Sequence, residues 1–124
     1  MATKHILLID DEEDIREVAQ ISLEMMAGWQ VSLASSGQEG IQKAKEKSPD
    51  AILLDVMMPE IDGIETFKQL QADPKLQEIP VIFLTAKVQA SDKLKFQEIG
   101  VTGYISKPFD PVTLANEVAK KMGW

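Results

Sequence analysis

Five segments of this chain run into residues that can do metal or phosphoryl chemistry. Asp10 and Asp11 follow the apolar run His5-Ile6-Leu7-Leu8-Ile9, and Ser35 follows Trp29–Ala34. Asp55 ends Ala51-Ile52-Leu53-Leu54, Thr85 follows Pro80-Val81-Ile82-Phe83-Leu84, and Lys107 follows Gly103-Tyr104-Ile105-Ser106. Carboxylates brought into one pocket repel, and they stay ionised together only beside a cation. Oxygen ligands without histidine or cysteine select a hard ion, Mg2+ or Mn2+. The chain has no cysteine, and its one histidine, His5, stands at the far end of the first run from the acids. Lys107 would add an ammonium and Thr85 a hydroxyl donor. Metal, ammonium and hydroxyl around one carboxylate match the charged oxygens of a transferring phosphoryl group. The carboxylate itself can be the nucleophile, giving an aspartyl phosphate.

Those residues need elements to position them. A short apolar run bounded by turn signals reads as a buried strand of a parallel sheet. The acids after the first run open a helix whose inward stripe is read as Ile15, Val18, Ala19, Met25 and Met26, with Gly28 as its stop. Ser36-Gly37-Gln38-Glu39 has capping-box spacing and starts a second helix, which runs to about Lys47. A third follows Gly63, with Ile64, Phe67 and Leu70 on one face, and fades at Asp73-Pro74. A fourth spans about Ser91–Ile99 and stops at Gly100. Asp110 as N-cap with Pro111 at the first helical position opens the fifth, striped by Leu114, Val118 and Met122 and ended by Gly123. Met25, Met26 and Met58 are read as core.

Strand–helix alternation forces parallel strands with helices on both faces. The expected fold is α/β: a doubly wound open five-stranded parallel sheet, order 2-1-3-4-5, flavodoxin-like. In that order the first and third strands flank the switch point, so Asp10, Asp11 and Asp55 should converge there. The 124 residues suit one domain over positions 1–124. A net charge of −7 argues against a general binder of nucleic-acid backbone. No apolar run approaches the ~18 residues of a membrane span. Met1-Ala2-Thr3-Lys4-His5 does not resemble a signal peptide, so the cytoplasm is the expected place and no membrane insertion is expected.

Taken together, Asp10-Asp11, Asp55-Val56-Met57-Met58-Pro59 with Asp62-Gly63, Thr85-Ala86 and Lys107-Pro108-Phe109 resemble the receiver domain of two-component response regulators. The likeness covers essentially the whole chain and is closest to the single-domain, chemotaxis-regulator type. It implies that Asp55 is the phosphoacceptor and Asp11 the direct Mg2+ ligand. Asp10 would contribute mainly through water, and the Met57 carbonyl would complete the protein ligands. It also implies Thr85 as switch hydroxyl, Tyr104 as switch aromatic, Lys107 as binder of a phosphoryl oxygen, and a cis Lys107–Pro108 peptide. The implied function is a phosphorylation-activated switch. It takes its phosphoryl group from a histidine kinase or histidine phosphotransfer protein and changes its surface near the fourth and fifth strands toward a downstream protein. Such a domain catalyses its own phosphorylation and dephosphorylation without being a conventional enzyme. It can stand alone or be part of a longer regulator.

Two residues after Asp55 and after Thr85 stand Met57 and Lys87, where a side chain can admit or exclude the hydrolytic water. Neither a flexible thioether nor a charged lysine orients a nucleophilic water, so a long-lived phosphoryl group is expected. Two other readings fit less well. A phosphatase of the haloacid-dehalogenase type needs an Asp-x-Asp pair after the first strand, and here the acids are adjacent. A flavodoxin-like electron carrier needs a phosphate loop there, which Asp10-Asp11-Glu12-Glu13-Asp14 would repel.

Overall fold

The computed structural model describes residues 3–56, 63–86 and 90–124, with backbone only for 90–93. Met57, Met58, Asp62 and Lys87 lie outside them. The elements in chain order are β1 (His5–Ile9), α1 (Glu13–Ala27), β2 (Gln30–Ala34), α2 (Gly37–Lys47), β3 (Ala51–Asp55), α3 (Gly63–Ala72), β4 (Val81–Thr85), α4 (Ala90–Ile99), β5 (Gly103–Ser106) and α5 (Leu114–Met122). The strands form one sheet in the order β2-β1-β3-β4-β5, and every pairing is parallel. Fold class and strand order are those expected. Among the described residues no helix is long and apolar enough to cross a membrane.

The strands read as continuous apolar runs because both faces of the sheet are covered. Ile6, Leu8, Leu53, Ile82, Leu84 and Ile105 face α1 and α5, meeting Ala19, Leu23, Leu114 and Val118. Leu7, Ile9, Ile52, Leu54, Val81 and Phe83 face the other way, toward Ala44 of α2, Phe67 and Leu70 of α3, and Phe96 of α4. The register sets Ile9 beside Leu54, Asp55 beside Leu84, and Thr85 beside Ser106. Backbone pairing continues one step past three strand ends. Asp10 N donates to Ala34 O (3.0 Å), Val56 N to Leu84 O (3.0 Å) and Lys107 N to Thr85 O (2.8 Å). The loops that carry the candidate residues are thereby fixed to the sheet.

Two expectations fail in detail. The inward stripe of α1 is Ala19, Ser22 and Leu23, while Val18, Met25 and Met26 are 40%, 79% and 57% exposed. The reading of Met25 and Met26 as core is therefore wrong, and Ile15 is only half-buried. Residue type misled because a small and a polar residue occupy the buried face. Ser22 is tolerated there because its hydroxyl donates to the Pro111 carbonyl, which also ties α1 to the segment before α5. The second failure is Asp110-Pro111 as the start of α5. Asp110 Oδ1 accepts from Val112 N (2.8 Å), a local turn of the kind aspartate favours, and the α-helix begins only at Leu114. Smaller shifts trim Trp29 from β2 and Pro80 from β4, and α4 begins at Ala90.

The capping box at α2 is half as expected. Ser36 Oγ accepts from Glu39 N (3.1 Å), but Glu39 Oε1 reaches back to Ser35, accepting from its N (2.6 Å) and its Oγ (3.0 Å). The bond from the Ser35 N–H holds the Glu39 carboxyl below its ordinary pKa against the opposing effect of burial. Ser35 Oγ, Lys43 and Arg16 act in the same direction.

Gly63 shows how tightly α3 enters behind the end of β3. Its N–H donates to Val56 O at 2.9 Å. A Cβ there would overlap the Asp55 carbonyl oxygen and come within 2.7 Å of Val56 Cα, and backbone cannot swing aside as a side chain can. Gly63→Ala is therefore expected to cost about 2–3 kcal/mol through overpacking. Urea unfolding of the two proteins checks this, and equal midpoints would contradict the packing.

Candidate functional site

The site is made by β1, β3 and β5 at the carboxyl edge of the sheet. Asp10 is fully buried, Asp55 is 2% exposed and Thr85 5% exposed, while Asp11 faces solvent. One carboxylate oxygen from each of Asp10, Asp11 and Asp55 lies within 4.8 Å of the others, the convergence expected at the switch point. Lys107, at the end of β5, enters from two strands away. Its Nζ donates to Asp10 Oδ2 at 2.9 Å and stands 3.3 Å from Asp55 Oδ1. The Lys107–Pro108 peptide is cis.

Asp10 is anchored on every side. Its N–H continues the β2 ladder, its Oδ1 accepts from Glu12 N (2.9 Å), and its carbonyl oxygen accepts from Arg16 Nη1 (2.8 Å). Burial is the largest single influence on Lys107 and pushes its ammonium's pKa down. The hydrogen bond and charge of Asp10, followed by the charge and hydrogen bond of Asp55, together outweigh it, and the pKa lies above the ordinary lysine value. The charged form is thus favoured by folding. Its contribution is fully present below the ordinary lysine range and is lost only as pH rises through the raised value.

The donor set fits a divalent cation. Three carboxyl groups face a single ammonium, and every candidate ligand atom is oxygen. Thr85 sits beside this cluster at the end of β4, linked through its carbonyl to Lys107 N. Tyr104 lies one strand over and two residues back from Ser106, opposite Phe83. Its ring is half-buried, 6.1 Å from that of Phe96, and Lys121 Nζ stands 5.8 Å from its centroid.

Of the sequence's strand-end residues, Ser35 alone serves another purpose, binding Glu39 rather than joining the acids. Met57 and Lys87 are outside the described residues. Sequence reasoning missed Arg16, which reaches back six positions to the strand end. No motif flags such a contact, although an arginine one turn into the helix after an acid pair is within reach of it.

Comparison with known proteins agrees with this geometry. The family model for the response regulator receiver domain matches residues 6–119. The alkaline phosphatase synthesis transcriptional regulatory protein PhoP of Bacillus subtilis is 44% identical over 108 residues, covering 87% of this chain and 44% of that protein. The phosphate regulon transcriptional regulatory protein PhoB of Pseudomonas aeruginosa is 41% identical over 111 residues, covering 90% of this chain and 48% of that protein. The chain thus spans about half the length of the curated relatives it matches. Among solved structures, the chemotaxis protein CheY4 of Vibrio cholerae superposes with a TM-score of 0.89 at 31% identity, covering 96% of this chain and 98% of that one.

Lys107→Met keeps the aliphatic stem and removes the charge that faces two buried carboxylates. Breaking a buried pair costs about 3–5 kcal/mol, and the slight exposure of Lys107 favours the lower figure. Without divalent cation the variant is expected to unfold about 3 kcal/mol more easily. Added Mg2+ is expected to raise its midpoint by more than it raises that of wild type. Denaturant unfolding with and without Mg2+ measures both, and wild-type behaviour of the variant would contradict the role given to the ammonium.

Proposed function

This chain belongs to the response regulator receiver domain family, the phosphorylation-activated switches of two-component systems, and on that premise we propose that Asp55 is its phosphoacceptor. The observation that carries this reading is the position of one buried carboxylate, Asp55, within reach of two further acids and 3.3 Å from an ammonium. The partner is a histidine kinase or a histidine phosphotransfer protein. An Asp55 oxygen attacks the phosphorus of the partner's phosphohistidine, the P–N bond breaks and the imidazole leaves with its electron pair. Lys107 pairs with one phosphoryl oxygen, and the Thr85 hydroxyl donates to another.

The cation is Mg2+, or Mn2+ in its place. Asp11 and Asp55 would hold it directly and Asp10 mainly through water, and the carbonyl of Met57, outside the described residues, would complete the protein ligands. When bound, it neutralises negative charge on the phosphoryl oxygens. Asp10 and Asp11 thus serve the cation, and Asp55 serves both cation and phosphorus.

Phosphorylation draws the loop after β4 inward through Thr85, and Tyr104 turns into the space that opens. A ligand shifts such an equilibrium only through a contact it makes better in one state, and the Thr85 bond is that contact. The altered surface around β4 and β5 then selects a downstream protein. The printed names of PhoP and PhoB describe transcriptional regulation, which belongs to those longer proteins. For this chain we place the switch in the cytoplasm and assign it no nucleic-acid contact of its own. It acts on itself, gaining and losing its phosphoryl group, rather than turning over a separate substrate.

Two substitutions test the reading. Asp55→Asn is expected to abolish acid-labile, Mg2+-dependent labelling by acetyl phosphate. Thr85→Ala is expected to label but to lose the phosphorylation-linked amide shifts around Tyr104. Labelling that persists in the first, or shifts that persist in the second, would remove the residue from its role.

The lifetime of the phosphoryl group is assigned to Met57 and Lys87, both outside the described residues, because neither a thioether nor a charged lysine is a residue type that orients a nucleophilic water. Met57→Asn with Lys87→Glu is expected to shorten the half-life of phosphorylated protein at fixed Mg2+, and more than either change alone. Equal half-lives in all four proteins would discard the assignment.

A further inference from the structure

We infer that Arg16 is a positioning residue for the cation site, an inference that rests on reading Asp10, Asp11 and Asp55 as that site. β1 ends at Ile9, and the peptide joining Asp10 to Asp11 is the first to leave the sheet. Asp10 is fully buried, so water does not reach its carbonyl oxygen. Left unmet, a buried carbonyl carries the full cost of its lost hydration. The oxygen is met by Arg16 Nη1 at 2.8 Å, a charged donor from the first turns of α1.

That bond sets the plane of the Asp10–Asp11 peptide. Asp10 has other anchors: its N–H on Ala34, its Oδ1 under Glu12 N, and its Oδ2 on Lys107. Asp11 has none of these. Its side chain is exposed, and among the described residues its carboxylate makes no hydrogen bond or ion pair. Where Asp11 points is therefore decided by the peptide that Arg16 holds. The half-buried guanidinium is fixed in turn by its helix, and its field also reaches Glu39 at the start of α2. One cation thus ties the β1 end to α1, and its planar fork suits a fixed angle better than a flexible ammonium does.

Charge and position predict opposite signs. Arg16 is a cation near a cation site, so removing its charge alone would tighten Mg2+ binding. Losing its hold on the Asp10–Asp11 peptide would weaken it. Residues that orient metal ligands typically change affinity by about 10–100-fold when removed. Arg16→Met keeps the apolar stem and removes every donor, and isothermal titration of the folded protein with Mg2+ is expected to show about tenfold weaker binding. Arg16→Lys retains a charge and a donor and is expected to recover most of the loss. An Arg16→Met protein that binds Mg2+ as tightly as wild type, or more tightly, overturns the inference, whatever its melting temperature. Should Arg16→Met not fold, Arg16→Gln, neutral and shorter, is read by the same rule. Wild-type protein that takes up no Mg2+, or Asp11→Ala that binds it normally, would instead overturn the cation site itself.

Discussion

A single ammonium, Lys107 Nζ, lies 2.9 Å from Asp10 and 3.3 Å from Asp55, and the rest of the site is arranged around that contact. Two buried carboxylates from neighbouring strands repel each other, and desolvation adds to the cost of keeping them charged. Lys107 offsets part of that cost without filling the site. In the proposed function a divalent cation would meet the remaining charge, and a phosphoryl group would bring negative charge to both. In that function Lys107, the counter-ion of Asp10 and Asp55, would become a ligand for the phosphoryl group. The same ammonium faces both buried carboxylates, and a third, Asp11, lies within reach of them.

The parallel sheet makes this contact possible. Asp10, Asp55 and Lys107 come from β1, β3 and β5, segments far apart in sequence that share only the edge at which they end. The backbone bonds that continue past those ends carry the strands' rigidity into the loops. On the α3–α4 face, rings stack in a row from α3 to β5. Phe67 meets Phe83 at 5.6 Å, Phe83 meets Phe96 at 5.1 Å, and Phe96 meets Tyr104 at 6.1 Å. Phe83 lies two residues before Thr85 on β4 and opposite Tyr104 on β5. This row gives the proposed switch a physical route from the acid edge to an exposed face.

Much of this could be read from the sequence because strand ends are marked by sharp changes of residue type. Four apolar residues followed by an acid leave little freedom about where Asp55 lies, and cysteine-free, oxygen-only chemistry narrowed the metal. What escaped was decided by contacts across the fold. The buried face of α1 includes Ser22, tolerated because the carbonyl of Pro111, 89 positions away, accepts its hydrogen bond, and that partner is invisible to a hydrophobic pattern. Asp110 has the composition of an N-cap, yet its side chain closes a turn on Val112 and delays α5 to Leu114. Glu39 bonds Ser35 instead of completing the box with Ser36. Arg16 left no trace because its acceptor is a carbonyl, which every residue has.

The central claim is that the phosphoryl group is carried by Asp55 and by neither of the acids beside it. Borohydride reduction of the phosphorylated protein converts an aspartyl phosphate to homoserine, and peptide mass spectrometry then locates the altered residue. The account predicts homoserine at position 55 alone, formed only when Mg2+ was present during labelling. Homoserine at position 10 or 11, or none anywhere in a protein that had taken up phosphate, would contradict it.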